Sequence, residues 1–357
     1  MGEEDKPVNV ADFERIASER LDAGPLGYFA GGAGAENTLR ANSAAWAQLT
    51  LRPRVCVDVS VLTTETSVLG EALSMPVLIA PTALQRMAHP DGEEAMARAA
   101  QASDTLMVCS TLASASLATI AQAAPGGRRW LQLYLCRDRA VSFALIDQAV
   151  EAGATAIVVT VDAPYAGLRE RDHRTGFRVP NEIEMPGVTA ALGRSAGLSV
   201  EEFFGLVDPS LNWLALEEFI NHAPLPVLVK GIQCAEDARL ACDHGAAGII
   251  VSNHGGRQLD NVAPTAEILS SIVDAVGGQV EVLVDGGIRR GSDVCAALAL
   301  GARAVLVGRP ALWGLAVAGQ AGVEEVLAIL QREVLISMAL LGATSPDQLT
   351  RAHVAGA

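Results

Sequence analysis

GIIVSNHGGRQLD, residues 248–260, runs from the apolar Gly248-Ile249-Ile250-Val251 straight into a polar cluster holding His254, Arg257 and Asp260. A strand with one face in water alternates apolar and polar side chains, whereas this run is apolar on both faces and turns polar only at its end. That is the pattern of a strand inside a parallel sheet, with its chemistry at the carboxyl tip. Seven other runs repeat it: PVLIAPTA (76–83), LMVCSTLA (106–113), RWLQLYL (129–135), AIVVTVDAP (156–164), PVLVKGI (226–232), VLVDGGI (282–288) and AVLVGRP (304–310). Ala-rich segments at helical spacing separate them, among them 91–103, 138–152, 235–244 and 291–300. Strand and helix alternating eight times predicts an α/β protein, a (β/α)8 TIM barrel over about residues 76–345 of a single domain 1–357. A doubly wound open sheet is the alternative.

Two segments stand outside the repeat. VADFERIASERL (10–21) is an amphipathic helix expected to plug or flank the bottom of the barrel. The fourth and fifth runs start at residues 156 and 226, a gap that holds an insertion. Its stretch over about 174–210, rich in Gly, Pro, Ser and acids, reads as a mobile loop above the barrel mouth with a short helix near 200–205. A solvated insertion without a gating role is the alternative.

With 41 acidic against 26 basic residues and a net charge of −15, the chain lacks the basic surface that nucleic acid requires. Six scattered cysteines without a CxxC predict reduced thiols and no metal site. The acidic amino terminus has no signal-peptide core and no run of 18 apolar residues occurs, so a cytoplasmic protein without a membrane partner is expected.

In a (β/α)8 barrel the site lies at the carboxyl ends of the strands. All eight ends are polar: Pro81-Thr82, Ser110, Gln132 with Tyr134, Thr160 with Asp162, Lys230, Ser252 with His254, Asp285 with Gly286-Gly287, and Gly308-Arg309. A single Ser or Thr there often only caps the next helix. Eight polar ends together suit a flat heteroaromatic cofactor, with amides and hydroxyls on its ring edge and a lysine beside the charge of its reduced form. VDGGIRRG and LVGRP set glycines with Arg289 and Arg309 where the seventh and eighth loops commonly hold phosphate, although a glycine pair also serves a plain turn.

His254, three residues before Arg257, suits a base acting on a substrate whose carboxylate the guanidinium grips in two bonds. The alternative is a structural pair bonded to Asp260. Asp162 is placed to orient a protonated His254, or to cap a helix; Arg169 adds a second anion ligand, or a solvated charge.

These residues resemble the FMN-dependent L-2-hydroxy acid oxidases and dehydrogenases, over about residues 12–353. The resemblance rests on YFAGGAG, LRPR, IAPTA, MAHPDGE, QLY, TVDAP, LVKG, SNHGGRQLD, VDGGIRRG and GRP. It implies FMN as cofactor, a 2-hydroxy acid and O2 as substrates, and a 2-oxo acid and hydrogen peroxide as products. It implies His254 as base supported by Asp162, with Arg257, Arg169 and Tyr28 on the substrate carboxylate and Tyr134 on its hydroxyl. Ala80, Pro81 and Thr82 would lie beside the isoalloxazine, Ser110, Gln132, Thr160 and Ser252 on the ring, and Lys230 at its N1/O2 edge. Asp285 would reach the ribityl chain, and Gly286, Gly287, Arg289, Gly308 and Arg309 the phosphate end. A homotetramer or homo-octamer is expected.

Leu112 and Ala166 stand where glycolate-oxidising members carry Trp and Leu. Burying each matching substrate methylene is worth about 0.8 kcal/mol, so the smaller pair predicts a medium- or long-chain or aromatic 2-hydroxy acid. Phe177 or Met185 folding inward would restore lactate or glycolate. Ala80 favours an oxidase over a dehydrogenase that passes electrons to a quinone or protein acceptor. A flavin-binding barrel without turnover, or a flavin isomerase, would have no need of His254 and Arg257.

Overall fold

The computed structural model describes residues 6–356 other than Asn181 and Ala196. Three helices lead: α1 (Val10–Arg20), α2 (Ala23–Ala30) and α3 (Asn37–Gln48), followed by a hairpin of β1 (Thr66–Val68) and β2 (Glu71–Leu73). Eight parallel strands then close into a barrel, one from each apolar run. They are β3 (Val77–Ile79), β4 (Leu106–Cys109), β5 (Arg128–Leu133), β6 (Ile157–Thr160), β7 (Val227–Ile232), β8 (Gly248–Val251), β9 (Glu281–Val284) and β10 (Ala304–Val307). Each pairs with its neighbour in sequence, and β10 closes on β3.

The helices α4 (Gly92–Ala102), α5 (Leu117–Ala123), α6 (Arg139–Glu151), α7 (Glu170–Thr175), α8 (Pro186–Ala191), α9 (Val200–Phe204), α10 (Trp213–His222), α11 (Ala235–Asp243), α12 (Thr265–Val276), α13 (Gly291–Ala299) and α14 (Arg309–Leu341) complete the chain. By length and composition α14 could span a membrane, yet it packs against α1, α4 and α13 as a core helix, bent at Ala318-Gly319.

The unbroken apolar runs now have their reason. Alternate residues, Leu78, Val108, Trp130, Val158, Ile250 and Leu306 among them, fill the barrel interior, while Ile79, Met107, Val159 and Ile249 face the helices. Val68 and Leu73 of the hairpin join the interior cluster. The hairpin is tied there by the Trp130 indole N–H donating to Glu71 (3.0 Å) and the Leu69 N–H donating to Glu281 (2.7 Å). The hairpin is therefore the plug, and α1 flanks the barrel against α14.

The stretch expected as a loop over 174–210 contains α8 and α9, and Asn181 and Ala196 within it lie outside the described residues. The expected helix near 200–205 is α9, started by a capping box in which Ser199 accepts from the Glu202 N–H and Glu202 accepts from the Ser199 N–H. Phe177 packs on Tyr28 at 5.7 Å, and Asp208 ion-pairs with Arg139 at 2.6 Å, so the insertion is anchored at both ends.

Candidate active site

The carboxyl ends of the strands surround a cavity of about 1010 Å³ measured out to its mouth. His254 projects from the turn after β8. Its φ of +58° is left-handed, which costs an L-residue roughly 1–2 kcal/mol. The turn is held by local bonds: the His254 N–H donates to Ser252 Oγ (3.0 Å), and the buried amides of Asn253 and Asn42 exchange two bonds of 2.8 Å, pinning the turn to α3.

His254 Nδ1 lies 2.9 Å from Asp162 Oδ1. An ionised carboxylate only accepts, so the proton sits on Nδ1 and the lone pair of Nε2 is left for the cavity. Burial pushes His254 below the usual imidazole range, Asp162 pulls it partway back, and Lys230 and Arg169 add to the depression. Burial pushes the Asp162 carboxyl up, but His254 and then Lys230 outweigh it and hold it below the usual range. The result is a neutral imidazole beside an ionised acid, the charge state of a general base at rest.

Two guanidiniums face this pair across Tyr28, with Arg257 at 5.0 Å and Arg169 at 5.6 Å from the ring centre. Arg257 donates to the carbonyls of Tyr28 (2.5 Å) and Gly31 (2.9 Å) at the end of α2, leaving three of its five N–H groups for a ligand. Arg169 Nε is buried and, among the described residues, has no partner. Burial, then the neighbouring Arg169, lowers Arg257 to about 10. A carboxylate between these groups would satisfy the orphaned donor and relieve the repulsion. Tyr134 lines the same space, and burial followed by Asp162 keeps its phenol protonated.

At the other end a hydrogen-bonded chain crosses three strands. Ser110 Oγ (3.4 Å) and the Thr111 N–H (3.1 Å) donate to Gln132 Oε1, and Gln132 Nε2 donates to Thr160 Oγ1 (3.1 Å). Lys230 Nζ, next to Thr160 in register, bonds Ser252 Oγ (2.8 Å) and Asp285 Oδ2 (3.0 Å). Asp285 Oδ1 is buried and has no partner among the described residues, an acceptor suited to a hydroxyl. Gly287, at φ +93°, lies so close to α3 that a Cβ would stand 2.6 Å from the Asn42 carbonyl carbon. The amides opening α14 have no side-chain cap and adjoin Arg289 and Arg309, a ready anion site. Three Arg309 N–H groups bond the carbonyls of Phe29, Gly255 and Gly31, so two remain for an anion. Ala80, Pro81, Thr82, Gly286 and Gly308 complete this wall.

The site residues read from the sequence thus line one cavity, with three exceptions. Asp162 and Ser252 stand behind the wall, one on His254 and the other on Lys230 and His254. Ala166, expected in the substrate pocket, is exposed and outside the lining. Gln258 holds that loop along the surface, donating to the carbonyls of Asp162 (3.0 Å) and Tyr165 (2.9 Å) and accepting from the Gly167 N–H (3.0 Å). Asp260 does not pair with His254 or Arg257 but accepts from the Thr38 N–H of α3 (2.8 Å).

Phe204 was not singled out in the sequence, yet it lines the cavity 5.5 Å from the Tyr134 ring, whereas Phe177 and Met185 do not line it. Its signal was the capping-box spacing of SVEE directly before FF. Gly231 also escaped notice. At φ +110° it leaves room for Asp162, whose Cβ would lie 2.7 Å from an added one.

Five cationic groups, Arg169, Lys230, Arg257, Arg289 and Arg309, gather in one cavity of an acidic chain, with a neutral histidine and a polar ring-edge wall. Fold and site define a barrel oxidoreductase built for a phosphorylated flavin and an anionic substrate. The chain belongs to the family described as FMN-dependent dehydrogenase, whose model matches residues 17–356. It is 45% identical over 345 residues to the L-lactate oxidase of Nostoc sp., covering 94% of each chain, and 45% identical to glycolate oxidase 3 of Arabidopsis thaliana, covering 97% of this chain and 95% of that one. The crystal structure of a mandelate oxidase superposes with a TM-score of 0.90 at 45% identity, over 97% of this chain and 98% of the other. The protein is an FMN-dependent oxidoreductase of the 2-hydroxy acid oxidase type.

Proposed function

We propose that the protein oxidises an L-2-hydroxy acid with a bulky apolar or aromatic side chain to the 2-oxo acid, with O2 reduced to hydrogen peroxide. The observation that carries this reading is the opposition, within one cavity, of His254, backed by Asp162 behind the wall, and the Arg169/Arg257 pair. The two guanidiniums take the substrate carboxylate and fix the molecule at one end. The Tyr134 phenol, held protonated, bonds the substrate hydroxyl. His254 Nε2 receives a proton from the substrate, and Asp162 stabilises the imidazolium that results. FMN, when bound, accepts the two electrons. Leu112 and Phe204 supply the apolar surface beside Tyr134. An aromatic side chain fits that surface, and a mandelate oxidase of the same fold has been solved with (S)-4-hydroxymandelic acid.

A second reading, a short acid such as lactate, is favoured by Phe204 itself, a bulky ring that lines the same cavity as Leu112. Anaerobic bleaching of the flavin by a panel of 2-hydroxy acids, followed by admission of air, separates the cases. Mandelate or 2-hydroxyoctanoate should give a kcat/KM at least about tenfold above glycolate, equal to roughly 1.4 kcal/mol of transition-state binding. Lactate or glycolate ranking first would establish the second reading, and a bleached flavin that air does not restore would point to a quinone or protein acceptor.

A further inference from the structure

Beside the flavin cavity lies a second one, of about 740 Å³ out to the surface, and the strand ladder shows how it arises. β5 and β6 pair only as far as Leu133 and Val159. Beyond that point the chain of β5 leaves β6 and pairs with the returning insertion. The Asp208 N–H donates to the Leu135 carbonyl (2.9 Å), the Arg137 N–H to the Leu206 carbonyl (2.9 Å), and Cys136 bridges Val207. The gap that opens is lined by Leu135 and Val207 on one side, Thr160, Val161 and Ala163 on the other, and Leu216 of α10 behind. Thr160 lines both cavities, and its Oγ1 is the acceptor of the Gln132 amide in the flavin site.

Among the described residues the lining carries no cationic side chain with which to hold an anionic ligand. Asp208, its one charged residue, has Oδ2 on Arg139 (2.6 Å) and Oδ1 on the N–H (2.9 Å) and hydroxyl (2.6 Å) of Ser210. Asn212 Oδ1 caps α10 at the Ala215 N–H (3.1 Å), and its amide donates to the Ser210 carbonyl (3.3 Å). The Trp213 indole also borders the space; the other side chains besides Thr160 are apolar, and Leu135, Ala163 and Leu216 among them are buried. Apolar regions of protein cavities take up small nonpolar guests such as xenon.

We propose that this side cavity binds dioxygen and admits it to the flavin. The proposal rests on the oxidase reading, in which O2 takes two electrons and two protons from the reduced cofactor and leaves as hydrogen peroxide. A neutral diatomic enters such a cavity at little cost, whereas a 2-hydroxy carboxylate would lose hydration there and meet no cation in the lining. Entry past Thr160 lies away from the Arg169/Arg257 end of the flavin cavity, so O2 would reach the cofactor while the 2-oxo acid is still bound.

The test separates the two half-reactions in holoenzyme carrying Leu211→Trp or Leu216→Phe, two changes that fill the cavity from outside the catalytic wall. Flavin is photoreduced without substrate and mixed with oxygenated buffer. The second-order reoxidation constant should fall about fivefold or more, as for an obstructed bimolecular approach, while anaerobic reduction by the hydroxy acid is unchanged. Crystals of wild-type holoenzyme under xenon pressure should show xenon between Leu135 and Leu216. Unchanged reoxidation in both variants, equal slowing of both half-reactions, or a cavity without xenon overturns the proposal. Photoreduced wild-type enzyme inert to O2 defeats the oxidase reading instead, and so is told apart.

Discussion

His254 shows how much depends on a single side chain and its immediate neighbours. Only the neutral imidazole accepts a proton, and burial sets its pKa below 6.5. Activity should therefore be complete above that value and fall only as pH drops through the lowered pKa of the folded protein. The acid limb of kcat/KM should lie below pH 6.5, and a limb above it would contradict the charge state described here. Asp162→Asn removes the group that pulls the imidazole pKa up, so the limb should move further down while kcat falls. His254→Gln should keep the flavin spectrum and lose about 10²–10⁴-fold in kcat, the usual worth of a general base. Gly231→Ala places a methyl against Asp162 without touching the ligand cavity. Displacement of a supporting group by about 1 Å costs roughly 10²-fold, so kcat should drop by that order with flavin binding retained, as checked by flavin titration.

At the level of elements, α9 brings Phe204 into the lining of the cavity. Its five residues are too few to hold a helix alone, and packing of Phe203 and Phe204 on Tyr134 supplements the capping box. Phe204→Ala should raise KM for a bulky 2-hydroxy acid more than for lactate, because only the former reaches the ring. Leu112→Trp should do the reverse of enlarging the pocket and bring the small acids forward; steady-state kinetics with both acids check each variant. The hairpin β1–β2 is the opposite case, an element of six residues with no catalytic role that closes the barrel floor. Three-residue strands carry no readable period, so the sequence points to α1 at the barrel bottom and not to the hairpin.

For the whole molecule, the concentration of positive charge in one cavity means that part of the protein's stability resides in its anionic ligands. Arg309 is held well below the usual guanidinium range by burial and then by Arg257 and Arg289. A phosphate among these groups relieves both effects. FMN at about 100 times its Kd should add about 2.7 kcal/mol to stability, visible as a higher Tm for holoprotein than for apoprotein. Riboflavin, which lacks the phosphate, should restore much less of the difference, and equal protection by both would place the flavin's anchorage outside Arg289 and Arg309.

The sequence by itself determined eight strands alternating with helices in a parallel sheet, because a strand buried on both faces must be apolar throughout; the pairing of β10 with β3 that closes it into a barrel is tertiary. It also determined where chemistry would be found, since polar residues at the tips of such strands have no packing reason to be there. Tertiary structure alone decided which of them meet and in what state. That Nδ1 of His254 faces Asp162, that Ala166 turns to solvent on the Gln258 tether, and that Phe204 rather than Phe177 enters the cavity all depend on contacts between residues far apart in the chain. Periodicity records which face of an element is buried; it carries no information about the distant partner that buries it.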